Sequence, residues 1–247
     1  TINLLYQNDC YKLINKIKPS FVINAAAMTD VDKCETNKEE AKIINGISPG
    51  EMAKACNKIN AYFIHLSTDY VYDGKKKLPY TTRDNCKPIN IYGKSKLLGE
   101  RNIIKNTKNY IILRTSWIFF EKSNNFIKKI IKFSNDNKSI KIVNDQIGGP
   151  TYSGDVANAC FYIIDKLKKQ NLSGIYHYSG YPDISRYNLV LEIFKLLNKK
   201  NNIIPIKTSN FKTVAIRPLN TRLNCAALKK DFKIKRPLWK QKLLNSI

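Results

Sequence analysis

Apolar residues along this chain switch between helical spacing and short continuous runs, and the switching predicts the architecture. Cys10, Leu13, Ile14 and Ile17 recur at helical spacing over residues 8–18, and Pro19 stops the pattern. The run from Phe21 to Ala27 then has the form of a strand covered on both faces of a parallel sheet. Helical character returns over about 37–59, interrupted at 45–50. Ser48-Pro49 there fits an N-cap followed by a first-turn proline, so two helices in series or one bent helix are expected. A strand over 61–66 follows. The polar stretch 71–90, with Gly74, Pro79 and Pro88, reads as a surface loop reaching over the strand ends. Beyond it come a helix over 91–106, a strand over 110–113, a helix capped by Ser123-Asn124-Asn125 and a strand over 140–143. Past the turn at 145–150 stand a helix over 153–169, a strand over 174–178, a helix over 185–199 and a loop-rich tail. Strands alternating with helices predict an α/β protein with a doubly wound parallel sheet.

Composition narrows the chemistry more than the architecture. With 247 residues, 43% of them hydrophobic, the chain can bury a core as one large domain or two closely packed ones. Its six cysteines stand singly and outline neither a disulfide framework nor a zinc site, as expected of reduced thiols in a cytoplasmic protein. Two histidines, His65 and His177, leave little material for a metal centre or a serine-type triad, and no metal is expected. His65 falls inside an apolar strand pattern and reads as a packed strand residue. No run is long enough for a membrane span and no signal peptide opens the chain, so no membrane partner is expected. The sequence starts at Thr1 without methionine, which points to a processed or truncated start. A net charge of +24 is carried by lysines spread among asparagines and isoleucines. That is compositional drift rather than specific nucleic-acid binding, though it attracts anionic substrates.

The stretch from Leu66 to Glu100 carries the chemistry. Ser67-Thr68-Asp69 ends an apolar strand, and Tyr92 and Lys96 follow four residues apart at the start of a helix, on one face. A lysine one turn away can lower a phenol's pKa and make it a usable proton donor and acceptor. No side chain donates hydride, so carbonyl reduction here implies a nicotinamide cofactor. Spacing alone is weak, since roughly two such pairs are expected by chance in so lysine-rich a chain. Three occur: Tyr72/Lys76, Tyr92/Lys96 and Tyr162/Lys166. Only Tyr92/Lys96 opens a helix that follows a strand ending in hydroxyls.

Longer runs carry a resemblance. Asn24-Ala25-Ala26-Ala27, Thr29-x-Val31-Asp32-x-x-Glu35, Ser67-Thr68-Asp69-Tyr70-Val71-Tyr72-Asp73-Gly74 and Pro88-x-Asn90-x-Tyr92-Gly93-x-Ser95-Lys96-Leu97-x-Gly99-Glu100 come first. Arg114-Thr115-Ser116-Trp117, Asn125-Phe126, Asn144-Asp145-Gln146-x-Gly148-x-Pro150-Thr151 and Arg217-Pro218-x-Asn220-x-Arg222-Leu223 continue the series in order. Together they resemble the dTDP-4-dehydrorhamnose reductase family of the extended short-chain dehydrogenase/reductase superfamily. The resemblance implies a Rossmann-like dinucleotide-binding domain over 1–144 and a smaller substrate-binding unit over 145–247, with some segments interleaved. It implies NADPH or NADH as cofactor, a dTDP-sugar substrate and a homodimer. By the same resemblance Tyr92 donates a proton to the sugar C4 oxygen and Thr68 bonds that oxygen. Lys96 holds the cofactor ribose and tunes Tyr92, Asp69 and Trp117 contact the substrate, and Ala27, Met28 and Thr29 form the turn beside the cofactor. Bland readings stand beside these: a core tryptophan at 117, a turn-forming aspartate at 69, an ordinary strand-to-helix corner at 27–29. Ser67, Asn24 and Gln146 read as structural support. Related 4,6-dehydratases carry Thr-Asp-Glu where this chain has Thr68-Asp69-Tyr70, which favours reduction over water elimination.

The departure lies at the start. The family pattern opens with a strand, a Gly-x-x-Gly-x-x-Gly turn and a helix that receive the cofactor pyrophosphate, and none of these precedes Asn24 in this sequence. A fragment of a working reductase, a non-catalytic remnant and a regulatory subunit of the same fold are the three expectations this leaves, and the joint presence of Thr68, Tyr92 and Lys96 argues against the last.

Overall fold

The computed structural model describes residues 2–122 and 125–244. In chain order its main elements are α1 (Gln7–Ile17), β1 (Phe21–Asn24), α2 (Val31–Thr36), α3 (Lys38–Lys42), α4 (Ser48–Lys58), β2 (Tyr62–Thr68), α5 (Ile91–Asn106) and β3 (Tyr110–Thr115). Then come α6 (Phe126–Asp136), β4 (Ser139–Val143), α7 (Ser153–Leu167), β5 (Gly174–His177), α8 (Arg186–Leu196), β6 (Asn202–Ile206), α9 (Ala226–Phe232) and α10 (Trp239–Leu243). Strands β1, β2, β3 and β5 form one parallel sheet in that order.

The sheet is buried on both sides because its strands are apolar at consecutive positions. Ile64, Ile111 and Leu113 face α7 and α9, where they meet Val156, Ile163 and Phe232. Phe63 and Ile112 face the opposite layer, against Ile14 of α1 and Met52 and Cys56 of α4. Full burial of each such side chain stabilises the fold by about 1.5–3 kcal/mol, so the expected doubly wound layering is what the sequence supports. A second core joins α6, β4, α8 and α10 through Ile127, Ile140, Val190, Phe194 and Trp239. The chain crosses between these two cores: β4 pairs with β6, while α7 and β5 return to the main sheet.

Local differences have local causes. Asp30 accepts a hydrogen bond from the Lys33 N–H and starts α2 six residues before the helical pattern begins in sequence. Ser48 does not cap a helix. Residues Ile43–Ile47 form a π-helical turn that runs into α4, and the Ser48 hydroxyl donates to the Leu4 carbonyl at 2.5 Å instead. The stretch 71–90 is more anchored than a surface loop. Val71, Tyr72 and Tyr80 are buried with Leu223 and Cys225, and Tyr80 exchanges backbone bonds with Arg222 and Asn224. Of the expected cap of α6, Ser123 and Asn124 lie outside the described residues, and Asn125 accepts from the Lys128 N–H.

Candidate functional site

Helix α5 brings the chemistry to the carboxyl end of β2. Asn90 caps it by accepting from the Gly93 N–H at 2.8 Å, and Glu35 of α2 accepts from the Ile91 N–H at 2.8 Å. A carboxylate at that end also suits the helix dipole. Gly93 allows the first turn to lie against the Tyr70 carbonyl, since a Cβ there would stand 2.1 Å from the oxygen. This fixes Tyr92 beside the strand end, edge-on to Tyr70 with ring centroids 5.7 Å apart.

Tyr92 opens into a cleft of about 500 Å³ whose walls include Thr68, Asp69, Tyr70, Trp117, Phe126 and Arg186. The Thr68 hydroxyl donates to Asp69 Oδ1 at 3.0 Å and accepts from the Tyr70 N–H at 3.2 Å. Asp69 Oδ2 is buried without a hydrogen-bond partner among the described residues, as is Thr115 Oγ1. Burial, opposed by the nearby Thr221 and Thr68 hydroxyls, pushes the Asp69 carboxyl up to about 7. Burial likewise lifts the Tyr92 phenol well above its ordinary value, while the Thr68 hydroxyl pulls it down. Arg186 lies flat over the Trp117 ring, 3.5 Å from its centroid, and 4.5 Å from that of Phe126. Burial brings its guanidinium down to about 10, with Tyr70 and Asp69 acting the other way. Trp117 holds a left-handed backbone, φ 46°, a conformation that costs a non-glycine residue roughly 1 kcal/mol or more. Its indole packs so closely on Gly148 that a Cβ there would meet it at 2.6 Å.

Of the residues singled out in the sequence, Thr68, Asp69, Tyr92, Trp117 and Thr29 meet at this cleft. Ala27 and Met28 stand behind it, with Met28 tied by its backbone to the Asn45 amide at 2.8 and 3.0 Å, and Ala25 takes the place on the wall. Lys96 is buried behind Tyr92, where its Nζ donates to the Leu66 carbonyl at 2.7 Å and lies 3.1 Å from His65 Nε2. His65, expected only to pack, is thus bonded to the site lysine. Burial brings Lys96 itself down to about 8, against the pull of Glu100. Sequence reasoning missed Arg186, whose one signal is an arginine in a chain that otherwise drifts to lysine.

The distant motifs are explained by structure. Asp32 grips Arg217 with two bonds of 2.7 and 2.6 Å, and Asn220 donates to the Lys76 and Leu78 carbonyls. These contacts strap the tail across the loop that follows the Thr68 turn.

A nicotinamide ring needs a flat, unobstructed approach to the tyrosine. At the end of β1 the small Ala25 and Ala26 are exposed beside the cleft and offer that approach, so the residues present fit the nicotinamide end of a dinucleotide. A tyrosine and a lysine one turn apart, beside a strand-end hydroxyl over a parallel sheet, are the fold and site of the short-chain dehydrogenase/reductases. The family model described as the RmlD substrate binding domain matches residues 1–247, and the chain belongs to that family. The dTDP-4-dehydrorhamnose reductase of Aggregatibacter actinomycetemcomitans is 37% identical over 99% of this chain and 86% of that protein. Among solved structures, a dTDP-4-dehydrorhamnose reductase of Clostridium acetobutylicum is similar at a TM-score of 0.93 and 33% identity, covering 99% of this chain and 86% of that one. That of Bacillus anthracis, solved in complex with NADP, has a TM-score of 0.91 and 32% identity with the same coverage.

Proposed function

We propose that the chain reduces the C4 keto group of dTDP-4-dehydrorhamnose to give dTDP-L-rhamnose, with NADPH or NADH as cofactor, in the cytoplasm. The observation that carries this reading is the convergence of Tyr92, Thr68 and Asp69 on one cleft walled by Trp117 and Arg186. When bound beside Ala25 and Thr29, the nicotinamide supplies hydride to C4.

The protein's own part is the proton and the positioning. Burial keeps Tyr92 a neutral phenol, the form a reduction needs, because a proton donor must be protonated when the carbonyl arrives. As negative charge develops on the C4 oxygen, that oxygen becomes a strong enough base to take the phenolic proton. Thr68 stands where it can hydrogen-bond the same oxygen. Asp69, with one oxygen free, accepts from a sugar hydroxyl. Trp117 gives the sugar a flat apolar wall, and the positive charge of the chain draws in the diphosphate. Lys96 supports Tyr92 from behind.

The test is turnover by the purified chain. Incubated with the 4-keto sugar nucleotide and NADPH, it should consume reduced nicotinamide and release dTDP-L-rhamnose. Cofactor binding, read by nicotinamide fluorescence, without any product would sink the reductase reading.

A further inference from the structure

A second hollow, of about 440 Å³, lies between α9 and the stretch 234–236 that follows it. Pro79, Leu223, Cys225 and Ile234 give it an apolar floor, and Lys229, Lys235 and Arg236 stand around it. A smaller hollow of about 390 Å³ shares Ala226, Lys229 and Lys235 with the first and adds Lys230 and Lys233, so the two form one trough. None of its lining belongs to the cleft.

Charge alone would say little in so lysine-rich a chain, but here it is unmatched. Elsewhere exposed lysines pair with carboxylates one turn away, as Lys42 with Glu39, Lys54 with Glu51 and Lys168 with Asp165. From Ala226 to Lys242 the chain has seven cationic side chains and one carboxylate, Asp231, which accepts from the Tyr176 hydroxyl at 3.0 Å. Arg236 is held by Asp183, and Lys233 donates to the Lys230 carbonyl. Among the described residues Lys229, Lys230 and Lys235 have no ion-pair partner. The backbone carries a second signal. Ile234, Lys235 and Arg236 line the trough, and their main chain makes no hydrogen bond among the described residues. Free N–H and C=O groups beside a groove are a template to which an extended peptide can add itself.

We propose that this trough docks an acidic segment of a partner protein, bound in extended form with its main chain against 234–236 and its carboxylates on Lys229, Lys230 and Lys235. Two other occupants fit less well. A nucleic acid meets cations but no aromatic side chain in the lining on which to stack a base. A second copy of the chain, at a net charge of +24, is repelled. An acidic peptide matches the charge, the apolar floor and the free backbone together. Docking there is independent of the reductase reading.

Fluorescence anisotropy of the full chain with a labelled peptide of alternating glutamate and valine tests the site. The peptide should bind, and Lys229→Glu combined with Lys235→Glu should weaken it roughly tenfold or more. Both lysines are exposed, so the variant should fold. The neutral pair Lys229→Gln and Lys235→Gln should give a smaller loss in the same direction, so the result does not hang on one variant. Methylating the valine nitrogens of the peptide keeps every charge and removes the N–H donors of one edge, and should also weaken binding. Excess dTDP should leave the peptide in place. Absence of binding, equal affinity for the methylated peptide, or displacement by dTDP overturns the proposal. So does a thymidine oligonucleotide of equal charge that binds more tightly than the peptide and is lost with the same variants, because the trough then reads charge alone.

Discussion

Two buried polar networks flank the carboxyl end of β2, and they are built on opposite terms. In the first, Glu100 receives two bonds from Arg114, at 2.9 and 2.6 Å, and one from Ser67 at 2.5 Å. The remaining Arg114 amine donates to the Tyr72 hydroxyl at 2.6 Å, and Tyr72 continues to His177 at 2.8 Å. Arg114 and Glu100 are 3% and 1% exposed, so nothing is left for a ligand to satisfy. The second network begins one residue further on, at Thr68. Among the described residues it leaves Asp69 Oδ2 and Thr115 Oγ1 without partners, and it sets a guanidinium on two aromatic rings. A saturated network holds a shape; an unsaturated one is poised for what it lacks.

Breaking the saturated network should have the largest effect. Glu100→Ala leaves Arg114 as an uncompensated buried charge, at a cost of about 3–5 kcal/mol. Urea unfolding should show the loss, and a change below about 1 kcal/mol would mean that water reaches Arg114 and the network is not dry. The matched change on the other side is Tyr92→Phe. It removes one hydroxyl from the cleft wall, so stability should stay within about 0.5 kcal/mol while turnover falls roughly 10²–10⁴-fold. Retained turnover would remove Tyr92 from the proton path.

Asp69 sharpens the contrast through pH. Its folded value of about 7 lies above the unfolded value of about 3.9, so the folded state favours the neutral acid. The stability this contributes is fully present below about pH 4 and is lost as pH rises through 7. Asp69→Asn cannot ionise and should escape the loss. Set equal to the parent at pH 4, it should be more stable at pH 8 by on the order of 2–4 kcal/mol, read from urea midpoints across that range. A difference that does not vary with pH would show the carboxyl to be solvated and its partnerless oxygen to be wet.

The sheet and the helices around it were the legible parts of this sequence, and the saturated network was not, since its partners lie far apart in the chain. Apolar runs such as 62–66 and 110–113 admit few alternatives, and the helix expected over 91–106 is the one observed. The meeting of Thr68 and Tyr92 at one cleft was legible because it follows from one strand and one helix, whereas Trp117 was singled out only by the resemblance. The site was not legible where charge states depend on partners distant in sequence. Lys96 meets His65, a residue 31 positions earlier, and no spacing rule links the two. Arginine was the overlooked signal. In a chain that uses lysine wherever a point charge serves, Arg114, Arg217 and Arg236 each clamp a carboxylate, a task suited to a planar fork.

Arg186 sits at the cleft without such a clamp, and testing it gives the smallest and most discriminating effect. It rests on Trp117 and Phe126 instead of clamping a carboxylate, a cation–π arrangement worth about 0.5–2 kcal/mol. Arg186→Lys keeps the charge and loses the plane; Arg186→Met keeps much of the packing and loses the charge. If the plane serves only to hold the strained Trp117, Met should be the milder change and both variants should shift stability rather than KM. If the charge faces the diphosphate, Lys should raise KM about 5–10-fold with kcat little changed, and Met should raise it further. The ordering of two KM values therefore decides whether the unsaturated network is held open for an anion or only for a sugar ring.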